Sequence, residues 1–283
     1  MSKQDGVLEM SKHGVLEMSR SSRRTCATAV FETTLVAFLL TSISCPGVFA
    51  QLSGGTQKAP LQATIVHAEQ LAPVQNSLKV GAVFDQKKLE AQISATRIWY
   101  RVPPWMAGDW QYEDYTQTFY QDYKTGAIDS KPALYKAQGT DSWGLQLDRL
   151  GGVWGNICLP SVSVVTADKE IDKDLHLNDS VIFDSDARVI QRYVYTRTQV
   201  DKSNIIRSVY QMECFTTFFP FGPGLIRSEA SMKQFDDRGN PVNLAKSWRI
   251  GKRIAPFKPK AYDPSFGEYL KSEGLDNLVP LQK

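Results

Sequence analysis

The chain has 283 residues, with 33 Lys and Arg against 30 Asp and Glu, and 42% of it is hydrophobic. That is enough apolar material for one sizeable folded domain. A net charge of +3 without a basic stripe gives no electrostatic case for nucleic acid. Three histidines and four cysteines, with none at ligand spacing, point to no metal and no cofactor.

The N-terminal fifth reads as targeting sequence. Gly6-Val7-Leu8-Glu9-Met10-Ser11 recurs as Gly14-Val15-Leu16-Glu17-Met18-Ser19, which is too short for a solenoid repeat and reads as upstream sequence before a start at Met18. Arg20, Arg23 and Arg24 then precede the uncharged run 33–50, broken by Pro46-Gly47 and closed by Val48-Phe49-Ala50. These are the parts of a cleaved export signal, placing the mature N-terminus at Gln51 in a periplasmic or secreted protein. The alternative is a lipid anchor: Ile43-Ser44-Cys45 matches the end of a bacterial lipobox, with Ser42 where an aliphatic residue belongs. Cleavage leaves no transmembrane segment and a near-neutral chain of 28 basic and 26 acidic residues.

Residues 51–83 are rich in Gln, Ala, Pro, Ser and Gly and read as a flexible leader. Asp85 is suited to cap a helix over 85–99, with Leu89, Ile93 and Ile98 as its apolar stripe and Pro103-Pro104 as its stop. From Trp110 the pattern turns to alternation. Strands are expected over about 110–123, 133–148, 153–166, 174–183, 188–199, 205–219, 225–235 and 242–254. They are separated by turn clusters such as Asp201-Lys202-Ser203-Asn204 and Asp236-Asp237-Arg238-Gly239-Asn240. The last four have no room for crossover helices between them, so they form an antiparallel meander. Eight such strands gain by closing, which removes exposed edges. A barrel domain over 84–254 follows, with a loosely held tail over 255–283 that carries one short helix starting at Asp263-Pro264.

At Trp105-Met106-Ala107-Gly108-Asp109-Trp110 the chain resembles the lipocalin and wider calycin families, in which a helical lead-in precedes a Gly-x-Trp motif opening the first strand. The resemblance implies an all-β, antiparallel, up-and-down, eight-stranded calycin-like barrel with a short N-terminal helix. It also implies structural roles for Gly108 and Trp110, and for a late basic residue, Arg249 or Arg253, packing over the indole as a cation–π pair.

Catalytic chemistry is sparse. His67 falls in the leader and His176 beside a charged run, and no Gly-x-Ser-x-Gly elbow accompanies them, so no catalytic residue is assigned. The paired acids Asp184/Asp186 and Asp236/Asp237 fit turn positions. Cys158 and Cys214 could form one disulfide in an oxidising compartment, or be two small buried residues. The richer feature is aromatic. Tyr193, Tyr195, Arg197, Tyr210 and Met212 share one face of neighbouring strands and are the expected lining of a ligand cavity. Three functions remain open on these grounds. They are an exported protein binding a small hydrophobic or amphipathic ligand, a calycin-type isomerase or hydratase acting on a lipid or isoprenoid, and a structural envelope protein with a filled barrel.

Overall fold

The computed structural model describes residues 65–91, 95–167 and 170–281; the export signal, the repeat and Cys45 lie outside the described residues. The end of the expected leader is packed rather than loose. Leu71 N–H donates to Gly239 O at 3.0 Å and Val74 N–H to Asp237 O at 2.9 Å, and Val74 and Leu78 are buried. Asp85 does cap a helix, α1 (Gln86–Ala91), its Oδ1 accepting from Lys88 N–H at 3.0 Å. That helix is far shorter than the expected span, because Ile98 and Trp99 belong to strand β1 (Thr96–Val102). Its β-branched and aromatic residues gain more on a pleated surface than on a thin helical stripe: Ile98 pairs with Ile157, and Trp99 packs against Phe266 at 4.8 Å between ring centres.

Strands β2 (Gly108–Asp122), β3 (Ile128–Asp129) and β4 (Ala133–Trp143) follow. The run expected to continue to residue 148 breaks at Gly144. Its φ is +99°, and a Cβ there would lie 2.8 Å from the Phe257 ring, so only glycine allows the turn into β5 (Gln146–Leu147). The expected strand over 153–166 divides at Pro160, which cannot donate to a ladder, into β6 (Val153–Leu159) and β7 (Ser161–Ala167). The expected strand over 174–183 divides likewise into β8 (Glu170–His176) and β9 (Ser180–Asp184). The meander then runs as expected through β10 (Val189–Val200), β11 (Ile206–Gly222), β12 (Leu225–Phe235) and β13 (Pro241–Pro256). Its turns are fixed by acids. Asp201 Oδ1 accepts from Ser203 and Ile205 N–H, and Asp236 Oδ1 from Arg238 and Asn240 N–H.

Among the described residues these strands make two antiparallel sheets. One is β1-β6-β5; the other runs β3-β2-β13-β12-β11-β10-β8-β7, with β4 also on β2 and β9 also on β10. The large sheet curls, and within it the first long strand lies beside the last, Trp110 opposite Arg253 and Tyr112 opposite Gly251. It does not close into a barrel, because its two edges, β4 and β7, are not hydrogen-bonded to each other. The Gly-x-Trp glycine has a physical reason here. Gly108 has φ +129°, and a Cβ would fall 2.6 Å from Ala255 O. Trp110 is 1% exposed, its Nε1 donates to Met106 O at 2.8 Å, and the Arg253 guanidinium lies 4.8 Å from the ring centre. Arg253, not Arg249, is the cation on this indole.

Three apolar clusters hold the body together. One surrounds Trp110 with Tyr112, Trp143, Phe218 and Ile226. A second joins Val74, Leu78, Phe84 and Leu89 of the N-terminal segment to Leu175, Val200 and Ile206. The third seats the C-terminal tail. Helix α2 (Pro264–Ser272), capped by Asp263 through Ser265 N–H at 3.0 Å, buries Phe266 and Leu270 against Trp99 and Trp154 of the small sheet. Expected to be loose, this tail covers a sheet face.

The leader also crosses the outer face of the large sheet. There Glu213, 1% exposed, accepts from His67 at 3.0 Å, Ala68 N–H at 2.8 Å and Arg192 Nε at 2.8 Å. Burial alone would raise its carboxyl, but these donors hold it down at about 2, against an ordinary 4.5. A lowered folded-state value means stability that is fully present above about pH 4.5 and lost as pH falls towards 2, worth at most about 3 kcal/mol. Glu213→Gln is therefore expected to flatten the acid limb of a stability-versus-pH curve. An unchanged slope between pH 4.5 and 2 would count against this network. In urea denaturation, Trp110→Ala is expected to cost about 3–5 kcal/mol and Arg253→Ala, which removes an exposed cation, about 0.5–1 kcal/mol. Equal or negligible losses would remove this contact as the closing element.

Candidate functional site

Side chains alternate across a strand, so the cross-strand partners Tyr193–Cys214, Tyr195–Met212 and Arg197–Tyr210 all face the inside of the curl. Beside the Trp110 cluster, with which it shares Phe218, this inner face bounds a cavity of about 90 Å³. Gln138 on β4 and Ser163 on β7, from the two unpaired edges, both reach its lining. On β2 and β13 the register shifts between Trp248 and Gly251, leaving residues 113–115 unpaired opposite 249–250. A second hollow outside this gap shares Asp114, Tyr115, Trp248 and Arg249 with the cavity.

The wall is more polar than an aromatic reading of the sequence suggests. Asp141, 4% exposed, accepts from Arg249 Nη2 at 3.2 Å, and Arg249 lies over the Tyr112 ring at 3.8 Å. Burial raises the Asp141 carboxyl, while Arg249 and Tyr112 work in the opposite direction. Asp174 takes a two-pronged bond from Arg197, with Nε to Oδ1 and Nη2 to Oδ2 both at 2.6 Å. Burial would lower the Arg197 guanidinium, but Asp174 holds it charged. Each buried carboxylate thus has its own guanidinium. Burial pushes the tyrosine hydroxyls of Tyr193 and Tyr195 well above their usual value, so they remain protonated donors. Burial likewise raises the Cys214 thiol to about 11, which leaves it a neutral wall group and not a thiolate nucleophile.

His176 completes the wall. It faces the cavity from β8, its ring stacked on Tyr195 at 4.9 Å and 30°. Its Nδ1 is 2.7 Å from Asp179 Oδ2, and Asp179 Oδ1 accepts from Val194 N–H at 3.0 Å. The ring is therefore held on both its face and its edge.

Of the five residues expected to line a cavity, Tyr193 and Tyr195 do so. Arg197, Tyr210 and Met212 share that face without reaching the lining: Arg197 is taken up by Asp174, and Met212 is 3% exposed. Gly108 and Trp110 pack at one end of the curl, and Arg249 lies on the cavity wall. Cys158 and Cys214 lie on different sheets and are not joined in a disulfide. The sequence reading passed over Asp141, His176 and Asp179. The signal was present in register: Asp174 and His176 alternate on β8 and pair with Arg197 and Tyr195 of β10. No His, Cys, Asp or Glu group suited to a metal occurs among the described residues, nor does a helix long and apolar enough to cross a membrane. In comparison with known proteins the chain matches no family model, no curated protein and no solved structure.

A buried charge stripped of its partner is costly, whereas removing both charges is often neutral. Arg197→Met is expected to destabilise by about 3–5 kcal/mol, and the double variant Arg197→Met with Asp174→Leu to recover most of that loss. Additive losses in thermal or urea unfolding would show that the pair is not energetically coupled.

Proposed function

We propose that this chain is an exported, lipocalin-like binding protein that holds one small, largely apolar or amphipathic molecule in the cavity of an open, calycin-like barrel. The observation that carries this reading is the cavity itself. It is bounded by the inner face of a curled antiparallel sheet, and has both apolar contributors such as Ala230 and Met232 and polar groups, of which Asp141, Asp174 and His176 are held in place by partners. Support for the family resemblance comes from Gly108, Trp110 and Arg253, which bring the first long strand and the last together as the motif implies. Support for export is the arginine-flanked apolar run ending at Ala50. The modest volume favours a compact ligand over a long-chain lipid.

The test is to fill the cavity. Ala230 lies on the lining, so Ala230→Phe is expected to reduce binding of a small aromatic probe such as phenol at least tenfold by calorimetry or ligand-observed NMR. Arg207→Ala, which removes an exposed side chain paired with Asp201, is expected to leave binding unchanged. Binding that survives Ala230→Phe would place the probe elsewhere and remove the cavity as its site.

A further inference from the structure

Inside the cavity, the hydrogen-bonding groups differ in how far they are already committed. Asp141 and Asp174 each hold an arginine. A ligand carboxylate entering here would meet two buried acids whose counter-charges are already engaged. A ligand ammonium would have to compete with guanidinium groups already in place. Each of these two buried charges is neutralised by its own partner, and Asp114, the other carboxylate of the lining, is solvent-exposed. No buried charge is left for an ionic ligand to satisfy, so the cavity is matched to a neutral molecule.

His176 is arranged differently. Asp179 is fixed by Val194 N–H and receives the His176 Nδ1 edge at 2.7 Å. A neutral imidazole that donates from Nδ1 carries its lone pair on Nε2, because the partner of one ring nitrogen sets the role of the other. Stacking on Tyr195 holds the ring plane. What this gives the cavity is an acceptor whose direction is fixed from two sides. A fixed imidazole lone pair beside protonated tyrosine hydroxyls and arginine-paired carboxylates favours ligands that can donate.

We infer that His176 is the orienting residue of the cavity, and that its Nε2 accepts a hydrogen bond from an O–H or N–H of a small neutral ligand with an apolar body. This rests on the reading of the cavity as a binding site and names the ligand class that site selects. Asp179 acts as a positioning residue, holding the tautomer and not touching the ligand.

The test compares phenol with toluene, which match in shape and differ only in replacing the hydroxyl with a methyl, on the full chain. Wild-type protein is expected to prefer phenol by about three- to tenfold, the range of one neutral hydrogen bond. In His176→Phe, which keeps ring size and stacking, that preference is expected to fall to about one, with toluene binding changed less than about twofold. A second readout needs no variant. A long-range ¹H–¹⁵N spectrum of the wild type is expected to show the Nδ1–H tautomer of His176, and its Nε2 signal is expected to move upfield with phenol but not with toluene. Equal affinity for the two probes, or an Nε2 signal that stays put while phenol binds, overturns the role of His176 and leaves the cavity reading standing. Failure of both probes to bind overturns the cavity reading and this inference with it.

Discussion

The pairing of β2 with β13 is the constraint on which the rest of the molecule depends. Trp110 and Arg253 stand on strands far apart in the sequence, so the contact ties the two ends of the meander together. Two glycines permit it. At Gly108 the backbone approaches Ala255 too closely for any Cβ, and at Gly251 a Cβ would meet the Tyr112 ring at 2.6 Å. The indole then takes its hydrogen bond from within its own lead-in, donating to Met106, while Arg253 caps the ring from outside and donates to Trp105 O at 2.5 Å. A curl fixed at that end needs no hydrogen bonds across the β4–β7 seam to keep its inner face concave.

Curling a sheet creates a second problem, since any charged side chain on its inner face is taken out of water. The solution visible here is local neutralisation. Arg197 with Asp174, and Arg249 with Asp141, bring charge into the interior only in pairs. Such pairs contribute little net stability, because desolvation offsets their attraction. Their value lies in geometry: they fix long side chains around a hollow that a hydrophobic core would collapse into. The outer face uses the same device for a different end, where Glu213 ties the N-terminal segment to the sheet through His67 and Arg192.

How much of this was legible in the sequence divides along physical lines. The final four strands lie within a few residues of their expected limits, because each is bounded by a turn whose chemistry is local: Asp201 and Asp236 accept backbone N–H groups two to four residues on. Residues 133–183 misled for the opposite reason. The breaks at Gly144 and beside Pro160 sort strands between two sheets, and for Gly144 the deciding contact is with Phe257, more than a hundred residues away. The leader and tail looked loose because their apolar residues are few. Those few, Val74, Leu78, Phe266 and Leu270, find distant partners that composition cannot reveal. Alternation placed Tyr193 and Tyr195 on the inner face. It gave no sign of where along that face the cavity lies, which depends on residues brought from β4, β7, β8, β12 and β13 as well.

The chemistry available at the cavity follows from the same burial. Desolvation raises the hydroxyls of Tyr193 and Tyr195 and the thiol of Cys214, so these groups stay neutral across ordinary pH. Neutral hydroxyls and thiols are poor nucleophiles unless an adjacent base activates them. The imidazole beside them is stacked on Tyr195 by its face, not aimed at a hydroxyl or thiol proton, so none of these groups is prepared for covalent attack. What burial leaves is a wall of neutral hydroxyls and paired charges around a hollow. Under the proposed binding role such a wall selects by shape and hydrogen-bonding pattern, with His176 Nε2 as an acceptor fixed in direction.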